Sequence, residues 1–124
     1  MTFLKPLFLS TCTLVGLLSS AFAVTETDWP KKPIVAIVSF PAGGSTDIFA
    51  RSVTAPLAEA LGQSIVVENK PGAGSSIAAE QVAKSAPDGY TILIASPSSI
   101  SVNPALNPKL GYKPSDLSPI TKVT

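Results

Sequence analysis

Histidine is absent from this chain, and cysteine occurs once, at Cys12. Without imidazole the commonest general base and metal ligand is missing. Charge is scarce at 14% of residues, and the nine basic and eight acidic side chains nearly cancel. A neutral, evenly mixed surface offers no electrostatic footprint for nucleic acid or for a membrane surface, so no nucleic-acid partner is expected.

The N-terminal stretch reads as an address rather than as fold. Met1 to Lys5 carries one side-chain cation, Leu7 to Leu18 is mostly apolar, and Ala21-Phe22-Ala23 is an A-x-A cleavage site. This predicts a secretory signal peptide over 1–23, cleavage before Val24 and a periplasmic mature chain. The stretch is short, bears serine and threonine, and lacks a stop-transfer charge cluster, which favours a leader over an uncleaved anchor. Leu9-Ser10-Thr11-Cys12 fits a lipoprotein site poorly. Cleavage removes Cys12, which excludes disulfides, thiol catalysis and zinc–thiolate sites from the mature chain. Residues 24–124 are enough for one small domain, burying about two-thirds of its unfolded surface.

The remaining pattern is strand, helix, strand, helix, strand. Val24 to Lys32 reads as an extended polar lead-in. Ile34-Val35-Ala36-Ile37-Val38 is a continuous apolar run, which suits a strand buried on both faces, with bounds near Pro33 and Ser39. A helix is expected from about Thr46 to Leu61, with Phe49, Val53, Leu57, Ala60 and Leu61 as its apolar stripe and Gly62 as its stop. Pro56 inside it predicts a kink or an early end. Ile65-Val66-Val67 is a second strand. Ile77, Ala78, Gln81, Val82 and Ser85 lie along the helix after it, whose buried face is expected to be small and Ala-rich. Pro87-Asp88-Gly89 is a turn into a third strand, Thr91 to Ala95. Beyond it, Val102 to Tyr112 reads as turns around one short helix, and Leu117 to Val123 as the opening of a fourth strand. The order predicts an α/β fold with a parallel sheet, flanking helices and right-handed crossovers.

Two loops repeat one design. Phe40-Pro41-Ala42-Gly43-Gly44-Ser45-Thr46-Asp47 follows the first strand, and Asn69-Lys70-Pro71-Gly72-Ala73-Gly74-Ser75-Ser76 follows the second. Proline and glycine stop a strand, and small residues let the backbone approach a ligand closely. Helix N-termini with orphan amides favour negative charge. If the strands are parallel neighbours, both loops emerge at the carboxyl edge, where open α/β sheets bind ligands. The plainer account is a pair of ordinary turns in which Ser45 or Thr46 caps the helix and Asp47 complements its dipole. Gly72-Ala73-Gly74 starts like G-x-G-x-x-G, but Ile77 holds the third glycine position and the loop follows the wrong strand. No Gly-Lys-Ser/Thr occurs in either loop. No cofactor is therefore expected. Ser96, Ser98 and Ser99 have no histidine to activate them.

These residues resemble a known family. Trp29-Pro30-x-x-Pro33, Phe40-Pro41-x-Gly43-Gly44-x-x-Asp47-x-x-Ala50-Arg51, Leu61-Gly62-Gln63, Val66 to Gly74, Ala83-Lys84-x-Ala86-Pro87-Asp88-Gly89-Tyr90-Thr91 and Asn103-Pro104 are similar to the start of the Bug-type, TctC-like solute-binding proteins of tripartite tricarboxylate transporters. The resemblance implies a type II periplasmic-binding-protein-like fold, of which 24–124 would be an incomplete N-terminal lobe. It implies a small carboxylate ligand and delivery to the membrane permease subunits. By the same resemblance, the ligand carboxylate is held at Phe40, Ala42, Gly43, Gly44, Ser45 and Asp47 and at Gly72, Ala73, Gly74 and Ser75, largely through backbone amides and bridging water. Ser96 and Ser98 border the cleft. Ala42 stands where a second proline is frequent, and Ser75 and Ser76 where glycine or asparagine is. A micromolar site needs about 8 kcal/mol, while helix-end effects supply about 0.3–1 kcal/mol each. One open lobe is therefore expected to bind weakly. Two other readings stay open: a small secreted enzyme using Asp47 or Glu80 with a loop serine, and an interaction module that pairs through a sheet edge.

Overall fold

The computed structural model describes residues 28–123. The expected signal peptide and its cleavage site lie outside the described residues. Three parallel strands, β1 (Ile34–Val38), β2 (Ile65–Asn69) and β3 (Thr91–Ile94), form a sheet in the order β2-β1-β3. The register pairs Val38 with Asn69 on one side and with Ile94 on the other. Helix α1 (Ser45–Leu61) connects β1 to β2, and α2 (Ser76–Ala83) connects β2 to β3. A π-helical turn, Ser98–Val102, runs into the short helix α3 (Asn103–Leu106), and a 3₁₀ turn follows at Pro114–Asp116.

The continuous apolar run of β1 explains its central place. Ala36, Ile37 and Val38 are all fully buried, and successive strand residues face opposite sides of a sheet. Both faces of β1 are thus covered. The β1-to-β2 and β2-to-β3 crossovers run in opposite directions across the sheet, so right-handed connections put α1 on one face and α2 on the other. Ala50 of α1 and Ala78 and Ala79 of α2 are also fully buried. Their small side chains allow each helix to sit close to the strand.

Helix α1 buries a different stripe from the one the apolar pattern predicts, whereas α2 buries the small, Ala-rich face expected of it although Ile77 and Gln81 turn outward. In α1 the buried residues are Asp47, Ala50 and Thr54, whereas Phe49, Val53 and Leu61 are half-buried and Leu57 is exposed. A hydrogen bond from Asn69 at the end of β2 to Asp47 fixes the rotation of α1 about its axis. In α2 the buried residues are Ser76, Ala78 and Ala79, while Ile77 is 49% exposed and Gln81 is exposed. Pro56 does not end α1, which continues to Leu61 and closes on Gly62 at φ 64°. The early end fails because Ser52 and Pro56 face solvent, where water can satisfy the carbonyl that proline leaves free. Residues 117–123 form no strand among the described residues.

Candidate functional site

Because the strands are parallel, the segments after β1, β2 and β3 all emerge at one edge of the sheet. At the opposite edge the Trp29 ring lies 5.9 Å from that of Tyr90, and the Tyr90 hydroxyl accepts the Lys31 amide at 2.8 Å. The polar loops own the open edge.

The first loop turns tightly, with the Gly44 amide donating to the Pro41 carbonyl at 3.4 Å and Gly43 at φ 81°. Gly44, in extended conformation, occupies the cap position of α1, and no side chain caps the helix. Ser45 and Thr46 do not act as caps, contrary to the plainer reading of the sequence. The helix starts one residue earlier than expected, which places both hydroxyls past the cap position. Asp47 instead reaches back to the loop. Its Oδ2 accepts the Gly43 amide at 2.9 Å and Arg51 Nε at 3.1 Å, and its Oδ1 accepts Asn69 Nδ2 at 2.9 Å. Asn69 Nδ2 also donates to the Phe40 carbonyl at 3.0 Å, and Arg51 Nη2 donates to Asn69 Oδ1 at 3.4 Å. The Asp47 side chain is only 5% exposed. Bonds from Arg51, then from Gly43 and Asn69, lower its pKa from 3.8 to about 2.

The second loop holds four consecutive residues at positive φ: Gly72 at 132°, Ala73 at 45°, Gly74 at 60° and Ser75 at 80°. Ala73 and Ser75 carry a Cβ in the left-handed region, which L-residues rarely occupy. Ser75 holds the cap position of α2 but makes no cap bond. Its buried Oγ lies 3.4 Å from Ser96 Oγ after β3, which joins the second and third loops. Ser99 is fully buried; its Oγ donates to the Ser96 carbonyl at 2.9 Å and accepts the Ser96 amide at 3.3 Å. The Tyr112 hydroxyl donates to the Ser99 carbonyl, and Asn103 Nδ2 donates to the Gly74 carbonyl and, at 2.8 Å, to Ser76 Oγ.

The structure thus brings all the sequence-predicted site residues to one edge. Ala42, Gly43, Gly44, Ser45, Gly72, Ala73 and Gly74 are exposed, Phe40, Ser96 and Ser98 are half-buried, and Asp47 and Ser75 are buried. Two helix N-termini lie there, one from each face of the sheet, and neither is capped by its own side chains. Such amides can receive an anion. Among the described residues no group of histidine, cysteine, aspartate or glutamate could hold a metal ion. Sequence reasoning assigned no part to Ser39, Asn103 or Tyr112. Asn69 and Asn103 lay inside matched motifs, but nothing in their local pattern showed what they would touch.

A family model described as the tripartite tricarboxylate transporter family receptor matches residues 49–124. BugT of Bordetella pertussis is 45% identical over 105 residues, which cover 83% of this chain and 32% of that protein. The periplasmic binding protein BugD superimposes with a TM-score of 0.65 at 44% identity, over 69% of this chain and 28% of that one. MatC from Rhodopseudomonas palustris, solved with bound malate, gives a TM-score of 0.65 at 44% identity, over 68% of this chain and 29% of that one. The chain spans about a third of the length of the curated relatives it matches. Its sheet and helices reproduce part of a periplasmic-binding-protein fold, and the chain belongs to the tripartite tricarboxylate transporter receptor family.

Proposed function

We propose that this chain contributes the carboxylate-holding loops of a periplasmic solute receptor that hands its ligand to the permease subunits of a tripartite transporter. The observation that carries this reading is the pair of uncapped helix N-termini, α1 and α2, presented at the same sheet edge beside exposed glycine backbone. Amides of Ser45 and Thr46 and of Gly74, Ile77 and Ala78 are the donors, directly or through water, since those of Gly43, Gly44, Ser75 and Ser76 already donate within the loops. The carboxylate bound by MatC is the model for the guest. Residues 1–23 serve as the cleaved leader in this reading, and N-terminal sequencing of the exported chain should begin at Val24.

Asp47 holds the first loop in shape rather than meeting the guest. Each of its oxygens already accepts a donor from the protein, and its pKa is lowered to about 2. The same facts make it a poor general base, which disfavours the enzyme reading built on it.

Amide shifts of the 15N-labelled chain titrated with malate test the proposal. Saturable shifts confined to Gly43–Thr46 and Gly74–Ala78, in the millimolar range, are expected. Shifts absent, or concentrated at the opposite edge around Lys31 and Tyr90, would overturn it.

A further inference from the structure

Neither hydroxyl at the start of α2 turns to the helix's own first amides. Ser75 at the cap position points its Oγ to Ser96, and Ser76 at the first helical position accepts from Asn103. Asn103 is distant in sequence and opens α3, beyond the π-helical turn. Its side-chain orientation is fixed by chemistry, because the Gly74 carbonyl can only accept and so must face the NH₂ group. A Cβ placed on Gly74 would lie 3.3 Å from both Nδ2 and Oδ1 of Asn103. The amide group therefore lies against Gly74, which has no side chain to keep it away.

From this geometry we infer that Asn103 is a positioning residue for the second loop, and the inference rests on reading that loop as part of the carboxylate site. By holding the Gly74 carbonyl, Asn103 pins the left-handed run from Gly72 to Ser75. By occupying Ser76 Oγ, it keeps that hydroxyl from folding back over the first amides of α2. The Ile77 and Ala78 amides are thereby left to a guest. Asn103 itself touches no ligand in this scheme.

The test uses Asn103→Asp, which keeps the shape but loses both donated bonds. In the unaltered chain the Asn103 side-chain NH₂ protons should exchange slowly with water, and Gly74 and Ser75 should show the strong intraresidue HN–Hα NOEs of positive φ. In the variant those NOEs should weaken while the β1 amides, Ile34 to Val38, keep their dispersion. Malate affinity read at Ser76–Ala78 should fall about tenfold, with the shifts at Gly43 and Gly44 retained. Rapid exchange of the Asn103 NH₂ protons in the unaltered chain would overturn the inference even if the variant failed to fold. Unchanged intraresidue NOEs at Gly74 and Ser75 in a folded variant would overturn it too. The NOEs and exchange decide the role of Asn103 without ligand, whereas an absence of malate shifts at both loops in the unaltered chain counts against the carboxylate reading alone.

Discussion

Ser39 follows β1, is 2% exposed, and its Oγ has no hydrogen-bond partner among the described residues. Its neighbour Val38 pairs with Asn69, whose side chain meets α1, so alternation sends Ser39 to the α2 face. A buried hydroxyl without a partner costs about 1–3 kcal/mol of lost hydration. Ser39→Ala should accordingly raise stability by about 1 kcal/mol in urea unfolding. A loss of stability instead would mean that the hydroxyl has a partner, such as a buried water. Asp47 works in the opposite sense. Its folded pKa of about 2 lies below the ordinary 3.8, so its contribution is complete above pH 3.8 and is lost as pH falls toward 2. Unfolding measured across that window should show a decline that Asp47→Asn diminishes. An identical decline in the variant would assign the acid sensitivity to other carboxylates.

Glycines separate two kinds of constraint at the level of elements. Gly62 closes α1 at φ 64° with nothing within 4 Å of a built Cβ, so Gly62→Ala meets only the left-handed backbone penalty, about 1–2 kcal/mol. Gly72, at φ 132°, would set its Cβ 2.6 Å from Ile77 Cδ1 as well. Gly72→Ala should therefore cost more than Gly62→Ala and should displace Ile77, which a change in the Ile77 methyl shift would report. Equal costs would show that Ile77 swings away freely. The same elements show how far the sequence could be read. Strand β1, the stop at Gly62 and the two glycine loops were legible because they depend on local apolar runs and on turn chemistry. The rotation of α1 was not, because the Asp47–Asn69 bond joins residues 22 apart and overrides the stripe that Phe49, Val53 and Leu57 suggest. Asn103 was equally opaque: its two bonds reach 29 and 27 residues back along the chain.

For the whole molecule, the balance between covered and uncovered apolar surface decides behaviour in solution. β1 is sealed on both faces and both edges, but among the described residues β2 and β3 each have one edge that no strand pairs. Val66 is 47% exposed, Ile100 44%, Val102 47%, Leu106 78% and Ile120 78%. The relatives are about three times longer, so their folds have further chain with which to cover the matching surfaces. In this chain, free parallel edges beside exposed aliphatic side chains favour pairing with other copies. Sedimentation velocity should show association that grows with protein concentration and persists at high salt, because the driving surface is apolar rather than charged. Malate should leave that association unchanged, since its proposed donors lie in the loops and not along the strand edges. A single monomeric species at every concentration would show that the edges are protected, and would remove the sheet-edge interaction module from the readings the sequence left open.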